Sequence, residues 1–217
     1  MSNKRFHEDL AALSGDLIDM GKLVNLILER SVSAFADGDR AMAEWALDNA
    51  DETSRLDSLI EDEALRLLVL YQPMAGDMRR LATILKVITY LERIGRYGRD
   101  IAVAAIDLID EGKHRPMPQI AEMGALASDM VADAIKAFET SDILYIKDFE
   151  ARDDVLDRLR YEHLRHSLEE MKVCACNVDV CSSYLMVARY LERCGDNACK
   201  IAEKVYYMAT GKRIEIR

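Results

Sequence analysis

The residues best placed to do chemistry are acids standing where an apolar side chain is due. Leu81, Leu85 and Ile88 recur at helical spacing, and the next position of that seam is Glu92. The pattern returns further on, where Val178, Cys181, Leu185 and Ala188 lead to Glu192 and then to Gly195, Cys199 and Ala202. Asp196 follows Glu192 by four residues and shares its helical face. On the preceding long apolar pattern, Ile146, Phe149 and Glu150 lead to Asp153, with Asp157 again four residues on. A buried carboxylate needs a cation, a metal or a proton to offset its desolvation. Two antiparallel helices carrying Asp153, Asp157, Glu192 and Asp196 would aim two acid pairs at each other. A hard or borderline cation such as iron, manganese or magnesium would relieve their repulsion. Alternatively Arg93 and Arg193 neutralise the glutamates in place, and the acids are ordinary salt-bridged surface groups.

The chain writes part of this pattern twice. YLERIG at Tyr90 and YLERCG at Tyr190 stand 100 residues apart, and the same offset pairs Asp57 with Asp157, Leu85 with Leu185 and Val87 with Val187. At that offset Thr53 replaces Asp153 and Arg96 replaces Asp196, while Asp57 and Glu92 persist. A guanidinium supplies fixed positive charge and bridges carboxylates readily. The first copy (Asp57, Glu92, Arg96) therefore reads as an ion-paired, degenerate site, with Arg96 pairing Glu92 or Asp57 and Asp100 one turn further on.

Long helices must carry these residues. The chain has 217 residues, half of them hydrophobic, with only 3 Pro and 10 Gly. Phe6, Leu10, Leu13, Leu17, Met20, Val24 and Ile27 form the seam of a first helix that runs out near Asp37–Asp39. A second helix passes Met42, Trp45, Leu56, Ile60 and Leu67 and stops at YQPMAGD, and a third ends at EGKHRPMP. The plan then repeats: a helix over roughly 117–139, an N-cap at Ser141 or Asp142, a long helix over about 142–171, a turn at KVCACNVDV, and a last helix stopped by Gly211. The fold expected is all-α, two tandem three-helix bundles related by internal duplication, residues 1–112 and 113–217.

The net charge of −10 argues against nucleic acid as a partner. No apolar run reaches a membrane span, and MSNKRFHEDLAAL turns acidic where a signal peptide is apolar, so a cytoplasmic chain is expected, meeting membranes only through partner proteins. Five cysteines then suggest thiols or a metal before disulfides. Cys174, Cys176 and Cys181 form C-x-C-x4-C around a turn, open to a soft-metal or redox role, whereas Cys199 reads as a small core residue. His163 and His166 read as surface or interface residues. A di-iron carboxylate enzyme would need Glu-x-x-His pairs, which Glu162, Glu169 and Glu192 do not offer. No nucleophilic triad or phosphate-cradling glycine loop is present, so no catalytic residue and no organic cofactor are assigned.

Taken with the turn YQPMAGDMRRL (Tyr71 to Leu81) and the closing YMATGKRIE (Tyr207 to Glu215), the phrase LERCGD (Leu191 to Asp196) resembles the PhoU-type phosphate-signalling regulators over nearly the whole chain. The resemblance implies a non-enzymatic cytoplasmic protein that couples a phosphate ABC transporter to a membrane sensor kinase. It implies restraint of phosphate uptake or of the starvation response when phosphate is plentiful, and a homodimer. It also implies metal binding through Glu/Asp-x-x-x-Asp motifs, which Asp153-x-x-x-Asp157 and Glu192-x-x-x-Asp196 match and the first repeat, at Thr53 and Arg96, does not.

Overall fold

The computed structural model describes residues 2–216, and side chains from residue 4. Six helices carry the chain: α1 (Ser2–Asp37), α2 (Arg40–Tyr71), α3 (Ala75–Asp110), α4 (Pro118–Thr140), α5 (Phe149–Val173) and α6 (Val178–Thr210). Each boundary has a local cause. Asp39 caps α2 by accepting from the Met42 amide at 3.1 Å. Pro118 opens α4, where its missing amide proton is not needed. Gly211 ends α6 in the left-handed conformation, its N–H donating to the Tyr207 carbonyl at 2.9 Å.

The start of α5 departs from expectation. Ser141 is the left-handed C-cap of α4, and Asp142 accepts from Leu144 to cap a short 3-10 turn over Ile143–Ile146. Only after that turn does α5 begin, at Phe149. The apolar spacing Ile143, Ile146, Phe149 is three residues, which a 3-10 segment satisfies as well as an α-helix does.

Four helices, α1, α3, α4 and α6, pack pairwise into a closed central layer: α1 on α3 and α4, and α6 on α3 and α4. The halves thus share one apolar core, running from Phe6 to Met208. The remaining helix of each half lies outside this layer, α2 across α1 and α3, and α5 chiefly along α6. The two outer helices are not equally anchored. α2 buries Ala43, Ala46, Ala50, Thr53, Ile60, Ala64 and Leu67, whereas α5 buries only Phe149, Leu156, His163 and Ser167. Beyond Leu156 the buried residues of α5 are the polar His163 and Ser167, with Leu159 packing half-buried against the core.

Candidate functional site

The acidic seam lies between α5 and α6. Gly195 removes a side chain where α5 passes closest: a Cβ there would collide with Leu156 and stand 3.5 Å from Asp153 Oδ1. The glycine of the repeated phrase is thus what lets Asp153 approach α6. Burial pushes the Asp153 carboxyl up to about 6, helped by the charges of Asp196, Asp157 and Glu192, against a hydrogen bond from the Cys199 thiol that pulls it down. Glu192 is raised by burial and by Asp196, and lowered by Arg193 and Arg160.

Asp153, Asp157, Glu192 and Asp196 therefore feel one another's charge, but they do not form a ligand shell. Among the described residues, no three His, Cys, Asp or Glu side chains stand arranged to hold a metal ion. Arginines take two of the four acids. Arg193 lies 2.8 Å from Asp196 Oδ2 and 3.4 Å from Glu192 Oε2, and Arg160 lies 3.8 Å from Glu192 Oε1. Asp157 is exposed. One oxygen, Glu192 Oε2, is buried without a hydrogen-bond partner, since Arg193 at 3.4 Å gives it charge rather than a hydrogen bond. As chemistry, an all-carboxylate set with one orphaned buried oxygen suits a hard cation. As geometry, assembling that set needs the half-exposed Arg193 to swing away.

The first repeat resolves the same problem differently. Thr53 is fully buried against Gly95, and its hydroxyl donates to the Ala50 carbonyl at 2.7 Å, so the position of Asp153 is filled by a satisfied neutral group. Arg96 Nε sits 3.0 Å from Glu92 Oε1, the first of the two pairings the spacing allowed. Ser54 also donates to that oxygen, at 3.4 Å. Among the described residues Asp57 gains no cation: its Oδ1 is buried and unpartnered, and burial, with Glu92 and Glu61, raises its carboxyl.

Two expectations change. Cys174 and Cys176 are joined as a disulfide across the turn, with Cα atoms 5.2 Å apart, within ordinary disulfide reach. That leaves them no free thiolate for a soft metal. Cys181 is a separate, buried free thiol, as are Cys194 and Cys199, and burial pushes all three thiols up. His163 is a buried residue rather than a surface one, with Nε2 lacking a hydrogen-bond partner, while His166 is exposed. The signal was in the sequence: Phe149, Leu156 and His163 are spaced by seven, so His163 continues the inner stripe of α5.

The family model for the PhoU domain matches twice, over residues 17–105 and 120–205. The chain belongs to the PhoU family. Its PhoU relatives include a protein of Clostridium acetobutylicum named phosphate-specific transport system accessory protein PhoU homolog, 30% identical over 217 residues, covering 100% of this chain and 99% of the relative. A Pseudomonas aeruginosa protein of the same name is 30% identical over 96% of this chain and 87% of its own length. The crystal structure of PhoU from Pseudomonas aeruginosa superposes with a TM-score of 0.91 at 30% identity, covering 95% of this chain and all of that one. The phosphate transport system regulatory protein PhoU from Streptococcus pneumoniae gives 0.87 at 27% identity, over 97% and 99%. The two PhoU-domain matches fall on the two halves of the six-helix fold, one on α1–α3 and one on α4–α6. Among the described residues no helix is long and apolar enough to cross a membrane.

Proposed function

We propose that this chain is a cytoplasmic regulator of phosphate homeostasis, acting as a homodimer that couples a phosphate transporter ATPase to a sensor histidine kinase. In this reading it restrains phosphate uptake or the starvation response when phosphate is plentiful, and works by contact rather than by catalysis. One observation carries the proposal: the likeness to proteins named as accessories of phosphate-specific transport runs the full length of the chain, with both repeats matched. The deciding experiment is a pull-down from phosphate-replete cells, with metal measured on the same sample. Recovery of a transporter ATPase supports the regulator; a bait that brings down neither ATPase nor kinase ends it.

The finer part of the proposal is a hard cation, held by Asp153, Asp157, Glu192 and Asp196. It would supply fixed positive charge to four mutually repelling acids and tie the thinly anchored α5 to α6. The pair Asp153→Ala with Asp157→Ala should lose bound metal, and Asp57→Ala should keep it; the reverse result removes the site. The pairing of Glu192 and Asp196 with Arg193 favours a second reading, a helical scaffold neutralised by arginine alone. That reading requires that no metal copurify and that Asp153→Ala leave function intact.

A further inference from the structure

A cavity of about 300 Å³ opens at the other end of α6, where the two halves meet. Ala82, Thr83 and Lys86 of α3 form one wall, Glu203, Lys204 and Tyr207 of α6 the other, and Arg213 and Ile214 of the C-terminal segment close it over. In a protein of net charge −10, this lining carries three cations and one acid.

The acid is already neutralised. Glu203 is buried, with Lys200 at 2.7 Å, Lys204 at 3.6 Å, and the Ile216 amide donating to Oε1 at 3.2 Å. Glu215 lies near enough to Lys200 to raise it. Lys86 and Arg213 have no acid partner among the described residues; Arg213 instead lies over the Tyr207 ring, 5.7 Å from its centroid. One turn before Thr83, on the same face of α3, Arg79 Nε is buried without a hydrogen-bond partner. Among the described residues, positive charge is thus collected in a concave site in excess of the acids that line it. Such a site attracts anions, and lysine beside arginine suits an oxyanion, as point charge and as planar fork. The volume is at the lower end for ligand pockets, which restricts the occupant to a small molecule.

We propose that this pocket binds a small multivalent oxyanion of the phosphate or sulfate type, held by Lys86, Lys204 and Arg213. The anion joins α3 of the first repeat to α6 of the second and fastens the C-terminal segment across both. The inference stands on the pocket alone and is independent of the regulatory reading.

The test is calorimetric and NMR titration of the full chain with sodium phosphate, with sodium sulfate and sodium chloride as parallel arms at matched ionic strength. Saturable binding of phosphate, with amide shifts at Ile214 and Ile216, is expected. Lys86→Met with Arg213→Met should weaken it at least about tenfold, as the loss of charge-assisted contacts requires. Both side chains are exposed, so the variant keeps its fold, and Lys147→Met, an exposed lysine elsewhere, should bind as the parent does. Equal affinity for sulfate supports the general oxyanion site, and preference for phosphate narrows it. A linear, unsaturable response, or saturable binding that the double variant leaves undiminished, overturns the proposal.

Discussion

Arg96 Nε lies 3.0 Å from Glu92 Oε1, one turn back along α3, at the position the second repeat gives to Asp196. The same backbone site thus carries opposite charge in the two halves. In α3 the cation is on the helix itself and its pair is local, whereas in α6 both acids share Arg193 and Glu192 reaches Arg160 on α5.

The worth of the α3 pair follows from its exposure. The Arg96 side chain is 63% exposed, so solvent screens the attraction and Arg96→Ala should cost no more than about 1 kcal/mol. Urea unfolding at low and high salt measures it, and the small loss should shrink further with salt. A loss of several kcal/mol, insensitive to salt, would contradict the pairing as drawn.

Packing at the repeated glycine should weigh more. Leu156 is fully buried and occupies the space a Cβ on residue 195 would need. Overpacking at Gly195→Ala should cost about 1–3 kcal/mol, offset by the roughly 1 kcal/mol that alanine gains over glycine inside a helix, for a net loss of up to about 2 kcal/mol. Adding Leu156→Val makes room for the new methyl and should return part of that loss. If Gly195→Ala instead stabilises by about 1 kcal/mol, the full gain that alanine brings inside an unobstructed helix, the close approach of α5 to α6 at this point is wrong.

These particular residues also show what a single sequence can convey. Helices α1 to α3 were legible because their apolar seams are long and end at strong signals, Asp39 and the YQPMAGD turn. Asp153 and Glu192 were legible because a charge on an apolar stripe stands out. Their relation to Arg160 and Arg193 was not, because rotamers decide which of several reachable cations an acid meets. The 3-10 turn before α5 was hidden by a spacing that two helix types share. The basic pocket left no trace in the sequence, since Lys86 and Arg213 are more than a hundred residues apart and meet only when the halves pack.

The turn between α5 and α6 yields a chemical prediction. Unreduced protein should show no alkylation at Cys174 or Cys176, and reductant should make both reactive, since both are exposed. Cys181, Cys194 and Cys199 should stay slow in either state, being buried with thiols pushed up. The closed loop is very short, so reduction should cost at most about 2 kcal/mol of stability. Peptide mass mapping reads the labels, and prompt labelling of Cys174 without reductant would exclude the bond.

Acid should act on the far half of α5 through His163. The ring faces the Gln119 backbone from α4 and lies near Glu122, Glu162 and His166; burial dominates and lowers its pKa below the usual 6.5. The unfolded chain then takes up a proton near pH 6.5 that the folded chain still refuses. The contribution of His163 to stability must fall as pH drops from 6.5 to the lowered folded value and level off below it, while Asp153, raised to about 6, contributes with the opposite sign over the same range. His163→Leu removes both the titration and the unpartnered buried Nε2, whose burial costs about 1–3 kcal/mol. Leucine continues the Phe149 and Leu156 stripe, so this variant should be more stable than the parent at pH 5, and the difference between the two profiles should grow as pH falls from 7 to 5. Urea unfolding across this pH range settles the matter: a His163→Leu profile parallel to the parent's would mean that the His163 ring titrates as it does in the unfolded chain.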